Sequence, residues 1–166
     1  MRGQRLRWGF VLWLACAMLA APSLLRAQTI TVQQTTSLSF KVFGSELTPG
    51  GNLEVTVICT PGLKPCPNGI TIYASVEQCT IPSPTNATLS IPASQLVAQI
   101  NRGSMTQFNQ VVPPFRQGCG LTLYSGPLPQ TTEMVSVTAA LFVDARKHYV
   151  PIASYQGNLN IHVDTF

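Results

Sequence analysis

The sequence predicts an all-β protein, an immunoglobulin-like β-sandwich of about seven to eight short antiparallel strands. Three observations predict it. Apolar residues recur at every second position in run after run. Pro, Gly and Asn punctuate those runs at turn spacing. Charged residues make up only 10% of the chain, while Thr, Ser and Gln are plentiful, so hydroxyls and amides must wet the surface.

The strands begin after a leader. Arg2, Arg5 and Arg7 precede an uncharged apolar run from Trp8 to Ala21, and Leu24-Leu25-Arg26-Ala27 ends in a small residue. A basic start, an apolar middle and a small-residue end are what signal peptidase reads. Residues 1–27 are therefore expected to be a cleaved signal peptide, with a cut after Ala21 as the alternative. A membrane anchor would need roughly 20 apolar residues, and this run is shorter and stops at Pro22-Ser23. Lipidation at Cys16 would split the apolar run in half. The mature chain, residues 28–166, is then a single domain of 139 residues, long enough to bury a core.

Removing the leader changes the charge. The formal net charge of +4 includes Arg2, Arg5, Arg7 and Arg26. Six bases and six acids remain in the mature part, a net of zero. No basic patch of the kind nucleic acid needs is left, so no nucleic-acid partner is expected, and no membrane contact after leader cleavage. The expected destination is secreted, periplasmic or cell-surface.

Each strand has its own signal. Ile30 and Val32 share a face in Thr29 to Gln33. Leu38, Phe40 and Val42 share one in Ser37 to Phe43. Thr48-Pro49-Gly50-Gly51 reads as a turn, and Leu53, Val55 and Val57 then alternate into Cys59. Asn68-Gly69 turns into Ile70 and Ile72, with Ala74 and Val76 extending the pattern. Thr80 to Thr85, with Pro82 and Pro84, reads as loop, and Ala87 to Ile91 as a short strand. Ser94 to Asn101 fits one helical turn or a short strand. Met105 to Gln117 reads as loop or edge strand. Leu121 and Leu123 lead into Tyr124. Glu133 to Val143 is the strongest strand pattern, Asp144 to Pro151 a charged loop, and Gly157 to Val163 the closing strand.

Four cysteines remain in the mature chain: Cys59, Cys66, Cys79 and Cys119. An even count in an oxidising compartment implies two disulfides, with three pairings open. Cys59 with Cys66 is favoured, because Pro61-Gly62 and Pro65 turn the chain back between them. That leaves Cys79 with Cys119, closing a loop of about 41 residues, which the chain-entropy model values at about 4 kcal/mol. A zinc site is the rival, but paired Cys-x-x-Cys spacing is missing.

No enzyme is expected. The two histidines, His148 and His162, sit in a charged loop and on the outer side of the last strand. No nucleophile elbow, phosphate loop, His-x-x-x-His pair or carboxylate pair stands out, so no catalytic residue, metal or cofactor is assigned. Asn86-Ala87-Thr88 fits an N-glycosylation acceptor and marks a surface loop.

Several segments together resemble the spore coat protein U family, which includes subunits of archaic chaperone–usher pili. Thr36-Ser37-Leu38-Ser39-Phe40 is similar to its Leu-x-Phe-Gly segment, with Lys41 in place of Gly. Leu53-Glu54-Val55-Thr56-Val57-Ile58-Cys59-Thr60-Pro61-Gly62 resembles its strand ending in Cys-Thr-x-Gly. Leu121-Thr122-Leu123-Tyr124 and the terminal Ala153 to Val163 resemble two further strands. No mature cysteine precedes Phe40, so the family's usual early partner for Cys59 is absent. The resemblance implies a structural or adhesive pilin-like subunit of a fimbrium that assembles by strand exchange. Its partners would be neighbouring subunits of the same kind and a periplasmic chaperone. Residues 28–35 would then donate a strand, with Ile30 and Val32 as its anchors. The alternatives are that this segment is the first strand of its own sheet, and that the chain is a self-contained immunoglobulin-like module binding protein or glycan through its loops.

Overall fold

A computed structural model describes residues 28–36, 38–62, 64–112 and 116–166. The leader expected over residues 1–27 lies outside them, as do Pro113 and Pro114. Thirteen strands and two single 3-10 turns make up the regular structure of the described residues. The all-β class is as the sequence predicts. The strands outnumber the seven or eight expected because several are pieces of only three or four residues.

β1 (Thr29–Thr36), β2 (Ser39–Val42) and β3 (Leu47–Thr60) open the chain. β4 (Gly69–Val76) follows a disulfide-closed loop. β5 (Thr80–Pro82) and β6 (Ser90–Pro92) form a small ribbon. β7 (Leu96–Ile100), β8 (Met105–Gln107), β9 (Gln110–Val112) and β10 (Arg116–Pro127) fill the middle. β11 (Met134–Asp144), β12 (Ala153–Gln156) and β13 (Leu159–Thr165) complete it. One sheet runs β1-β3-β11-β7-β8 and the other β13-β4-β10-β9, with β12-β2 as a second ribbon. Every pair is antiparallel.

The period-two patterns explain the layers. Leu53, Val55 and Val57 of β3 and Val135, Val137 and Ala139 of β11 are buried, while their neighbours face out. Ile70, Ile72, Ala74 and Val76 of β4 and Leu121 and Leu123 of β10 join them in one contiguous core. β4 is covered on its other side as well, where Thr71 and Ser75 are buried. The Thr71 hydroxyl keeps a partner in the Ser125 hydroxyl at 3.1 Å. Leu38, Phe40 and Val42 are buried together, as their alternation predicts. Tyr155 of β12 lies opposite Phe40, fully buried, and its hydroxyl donates to the Pro151 carbonyl at 2.8 Å. Burial pushes the Tyr155 phenol above its ordinary pKa.

Two local readings change, and two that the sequence leaves between alternatives take a definite form. Thr48-Pro49-Gly50-Gly51 is not a turn but part of β3. Leu141 lies opposite Gly51 and Phe142 opposite Pro49, so Gly50 is the extra residue of a β-bulge. A bulge tolerates a proline that cannot donate to the ladder. Gly51 takes φ 150°, a conformation side chains resist. A Cβ on Gly50 would lie 1.6 Å from the Phe40 ring, so the missing side chain is what lets β2 pack on β3. Thr80–Pro82 is a strand, not loop, because its only partner is the equally short β6. Ser94 to Asn101 divides into a 3-10 turn, Ala93–Gln95, and β7. Met105 to Gln117 holds β8, β9 and the start of β10.

Candidate assembly surface

β1 runs beside β3 in unbroken register, from Thr29 opposite Thr60 to Thr36 opposite Leu53. Directly opposed residues in an antiparallel pair point to the same side. Opposite the buried Cys59, Val57, Val55 and Leu53 stand Ile30, Val32, Gln34 and Thr36. The core side of β1 is therefore half apolar and half polar. Ile30 is half-buried and packs on the core, while Val32 is 40% exposed. Gln34 and Thr36 are exposed outright. One partly buried isoleucine contributes about 1 kcal/mol. Backbone pairing with β3 along the whole strand adds to it.

The other side of β1 is a sheet edge among the described residues, where β3 is its one hydrogen-bonded neighbour. Natural edges resist stray pairing by being short, charged, proline-broken or bulged. β1 has none of these features: eight residues, TITVQQTT, without a charge, a proline or a register shift. The remaining edges differ. β8 and β9 are three residues long. β13 presents His162 and Asp164, whose Nε2 and Oδ1 lie 2.8 Å apart. The sequence singles out Ile30 and Val32 as donor anchors. The structure places both on this edge strand, paired in cis with Cys59 and Val57.

The four cysteines pair as favoured. Cys59–Cys66 closes the loop between β3 and β4, with Cα atoms 6.0 Å apart. Cys79–Cys119 ties the 3-10 turn Glu77–Cys79 to β10, with Cα atoms 4.8 Å apart. Both cysteine pairs are thereby spent, which removes the zinc alternative. The bridges fit an oxidising compartment. Gln78 and Cys79 adopt φ of 58° and 61°, left-handed values that cost non-glycine residues about 1–2 kcal/mol each.

Glu77 and Glu46 each line a separate surface cleft, and neither histidine lines either one. His148 is exposed in the 145–152 loop, and His162 is half-exposed beside Asp164. Asp144 is the one buried charge among the described residues, and Arg146 grips it with Nε at 2.8 Å and Nη2 at 3.0 Å. The Arg146 hydrogen bond holds the Asp144 carboxyl below the usual aspartate range, outweighing the opposing effect of burial. This pair fastens a turn at the end of β11. Among the described residues no group of three or more His, Cys, Asp or Glu is placed to hold a metal. No described helix is long and apolar enough to cross a membrane.

The described residues form an all-β sandwich with two disulfides and a long edge strand, β1, without a charge, proline or bulge. No family model, curated protein or solved structure matches the chain. The likeness to the spore coat protein U family rests on the sequence segments alone.

Proposed function

We propose that this chain is an exported, non-enzymatic structural or adhesive subunit of a pilus-like surface assembly, joined to further copies by exchange of β1. The observation that carries the reading is the character of β1. Its one side chain packed on the core is the half-buried Ile30, its backbone pairs with β3 throughout, and its own sequence carries no charge, proline or bulge along the edge. In the exchange, β1 of one copy leaves its own β3 and takes the same register on the β3 of the next. The second copy offers β1 the same partners that it leaves behind. The cost of exchange is therefore the opening of β1, and its weak side-chain anchoring keeps that cost low. β2 begins at Ser39, three positions after β1 ends at Thr36, and connections this short favour swapping.

A second reading has one observation in its favour. The unbroken cis register of β1 suits a self-contained module that binds protein or glycan through its loops. Light scattering on residues 28–166, made in an oxidising compartment, separates the two. The assembly reading expects mass to grow with concentration. It also expects residues 37–166, which lack β1 and so have no strand to exchange, to lose that growth in mass. A wild-type monomer at every concentration would leave the self-contained module as the answer.

A further inference from the structure

Asn86 stands in the 83–89 connection of the β5–β6 ribbon, fully at the surface. Thr88 closes on it twice. The Thr88 backbone N–H donates to Asn86 Oδ1 at 3.1 Å, and the Thr88 hydroxyl donates to the same oxygen at 2.7 Å. The Leu89 N–H donates to the Asn86 main-chain carbonyl at 3.0 Å, and the Ser83 N–H to the Leu89 carbonyl at 2.9 Å. The Asn86 carbonyl groups are thus engaged. Its Nδ2 has no hydrogen-bond acceptor among the described residues and is open to solvent.

A turn of this kind needs only a side-chain oxygen at its first position and a backbone N–H two residues on. An Asp or Ser at 86, with any residue but proline at 88, would close it. The chain instead supplies a carboxamide with a free nitrogen, a hydroxyl residue two positions later and Ala87 between them. That is the acceptor pattern for an N-linked oligosaccharide, in which the middle residue is not proline. Of the seven asparagines, only Asn86 has Ser or Thr two positions on. Two others show the contrast. Asn158 spends its Nδ2 on Glu77 Oε2 at 2.9 Å. Asn101 accepts from the Thr138 hydroxyl at 3.4 Å, but Thr138 lies 37 residues away.

We propose that Asn86 is an acceptor for N-linked glycan in the exported chain, with a polyprenyl-diphosphate-linked oligosaccharide as the co-substrate. The Asn86 Nδ2 lone pair forms a bond to the anomeric carbon of the first sugar. The bond from that carbon to the diphosphate oxygen breaks, and the lipid diphosphate leaves with the electron pair. One Nδ2 proton passes to a base of the transferring enzyme. The geometry needed from this chain spans three residues. It therefore exists before β5 and β6 pair, while the segment is still accessible, and it stays exposed after folding. β5 and β6 belong to neither main sheet, so a sugar at their tip displaces no core contact. The inference needs export only, and does not depend on exchange of β1.

The test is the mass of the chain secreted by a host that glycosylates, using the full 166 residues or, if that leader is not used, the host leader on residues 28–166. A co-secreted protein of known glycosylation shows that the host is competent. We expect a heterogeneous mass gain that peptide-N-glycosidase removes, leaving aspartate at position 86. Asn86→Gln and Thr88→Val should each abolish the gain, Thr88→Ser should reduce it, and Asn101→Gln and Asn158→Gln should leave it unchanged. Formation of both disulfides in each variant shows that folding is intact. A secreted wild-type chain of unmodified mass, beside a fully glycosylated reporter, overturns the proposal.

Discussion

The Phe40 ring occupies the space where a Gly50 side chain would be. Gly50→Ala must push that ring or the bulge aside, and overpacking of this kind costs about 1–3 kcal/mol. A urea titration should find that loss. Gly44→Ala, where a Cβ meets nothing within 4 Å, should stay near wild type and serves as the control. Gln78 offers the opposite change. Its φ of 58° is strained for a side chain, so Gln78→Gly should raise stability by up to about 1 kcal/mol after the entropic cost of glycine. Asp144 sets a pH dependence. Its pKa is lower in the folded chain than in the unfolded one, so its contribution is complete above the unfolded value, near 4. That contribution is lost as pH falls from there through the folded value. The stability difference between wild type and Asp144→Asn should therefore shrink as a titration goes below pH 4. A difference that stays constant would show that the Arg146 grip carries no charge-dependent stability.

β1 and β3 face each other with very different side chains. Leu53, Val55 and Val57 are almost wholly buried, whereas β1 sinks only Ile30 part-way. Local opening should therefore be easiest at β1. In hydrogen exchange, the amides of residues 29–36 should exchange well ahead of those of residues 139–143, which lie between two strands of the sheet. Equal protection would mean that β1 opens only with the whole domain. The same contrast shows what is legible in the sequence. Strands with an apolar side facing a core, such as β3, β4 and β11, announce themselves by alternation. The alternation of β1 stops at Gln33-Gln34 because its second half has no core to face. The bulge at Gly50 reads as a turn in the sequence, because Pro-Gly-Gly signals broken ladder geometry without saying whether the chain reverses. β5 and β6 are obscured by Pro82, which an isolated two-strand ribbon accommodates at its end. The cysteine pairing is legible because Pro61-Gly62 and Pro65 fix one short loop. Nothing in local sequence marks an edge, since that is decided by which strands pair, here 17 or more residues apart in sequence between β1 and its partners in β3.

At the scale of the whole molecule, two covalent links bound the unfolded chain. The chain-entropy model gives about 4 kcal/mol for the loop closed by Cys79–Cys119 and about 2.5 kcal/mol for that closed by Cys59–Cys66. Replacing both cysteines of a pair by serine should lower the urea-derived stability in that order, the longer loop losing more. Sharing of β1 between copies would leave a covalent record in an isotope-mixing cross-link. Gln33 and Thr56 are register partners, so Gln33→Cys with Thr56→Cys permits a bond wherever β1 lies on β3. Chains of residues 28–166 with light and heavy isotopes are each purified reduced at the new pair, mixed at the concentration where mass begins to grow, and then oxidised. Exchange of β1 predicts disulfide-linked products containing one light and one heavy chain, joined between positions 33 and 56. Bonds formed only within single chains, in a sample that has nonetheless assembled, would contradict it.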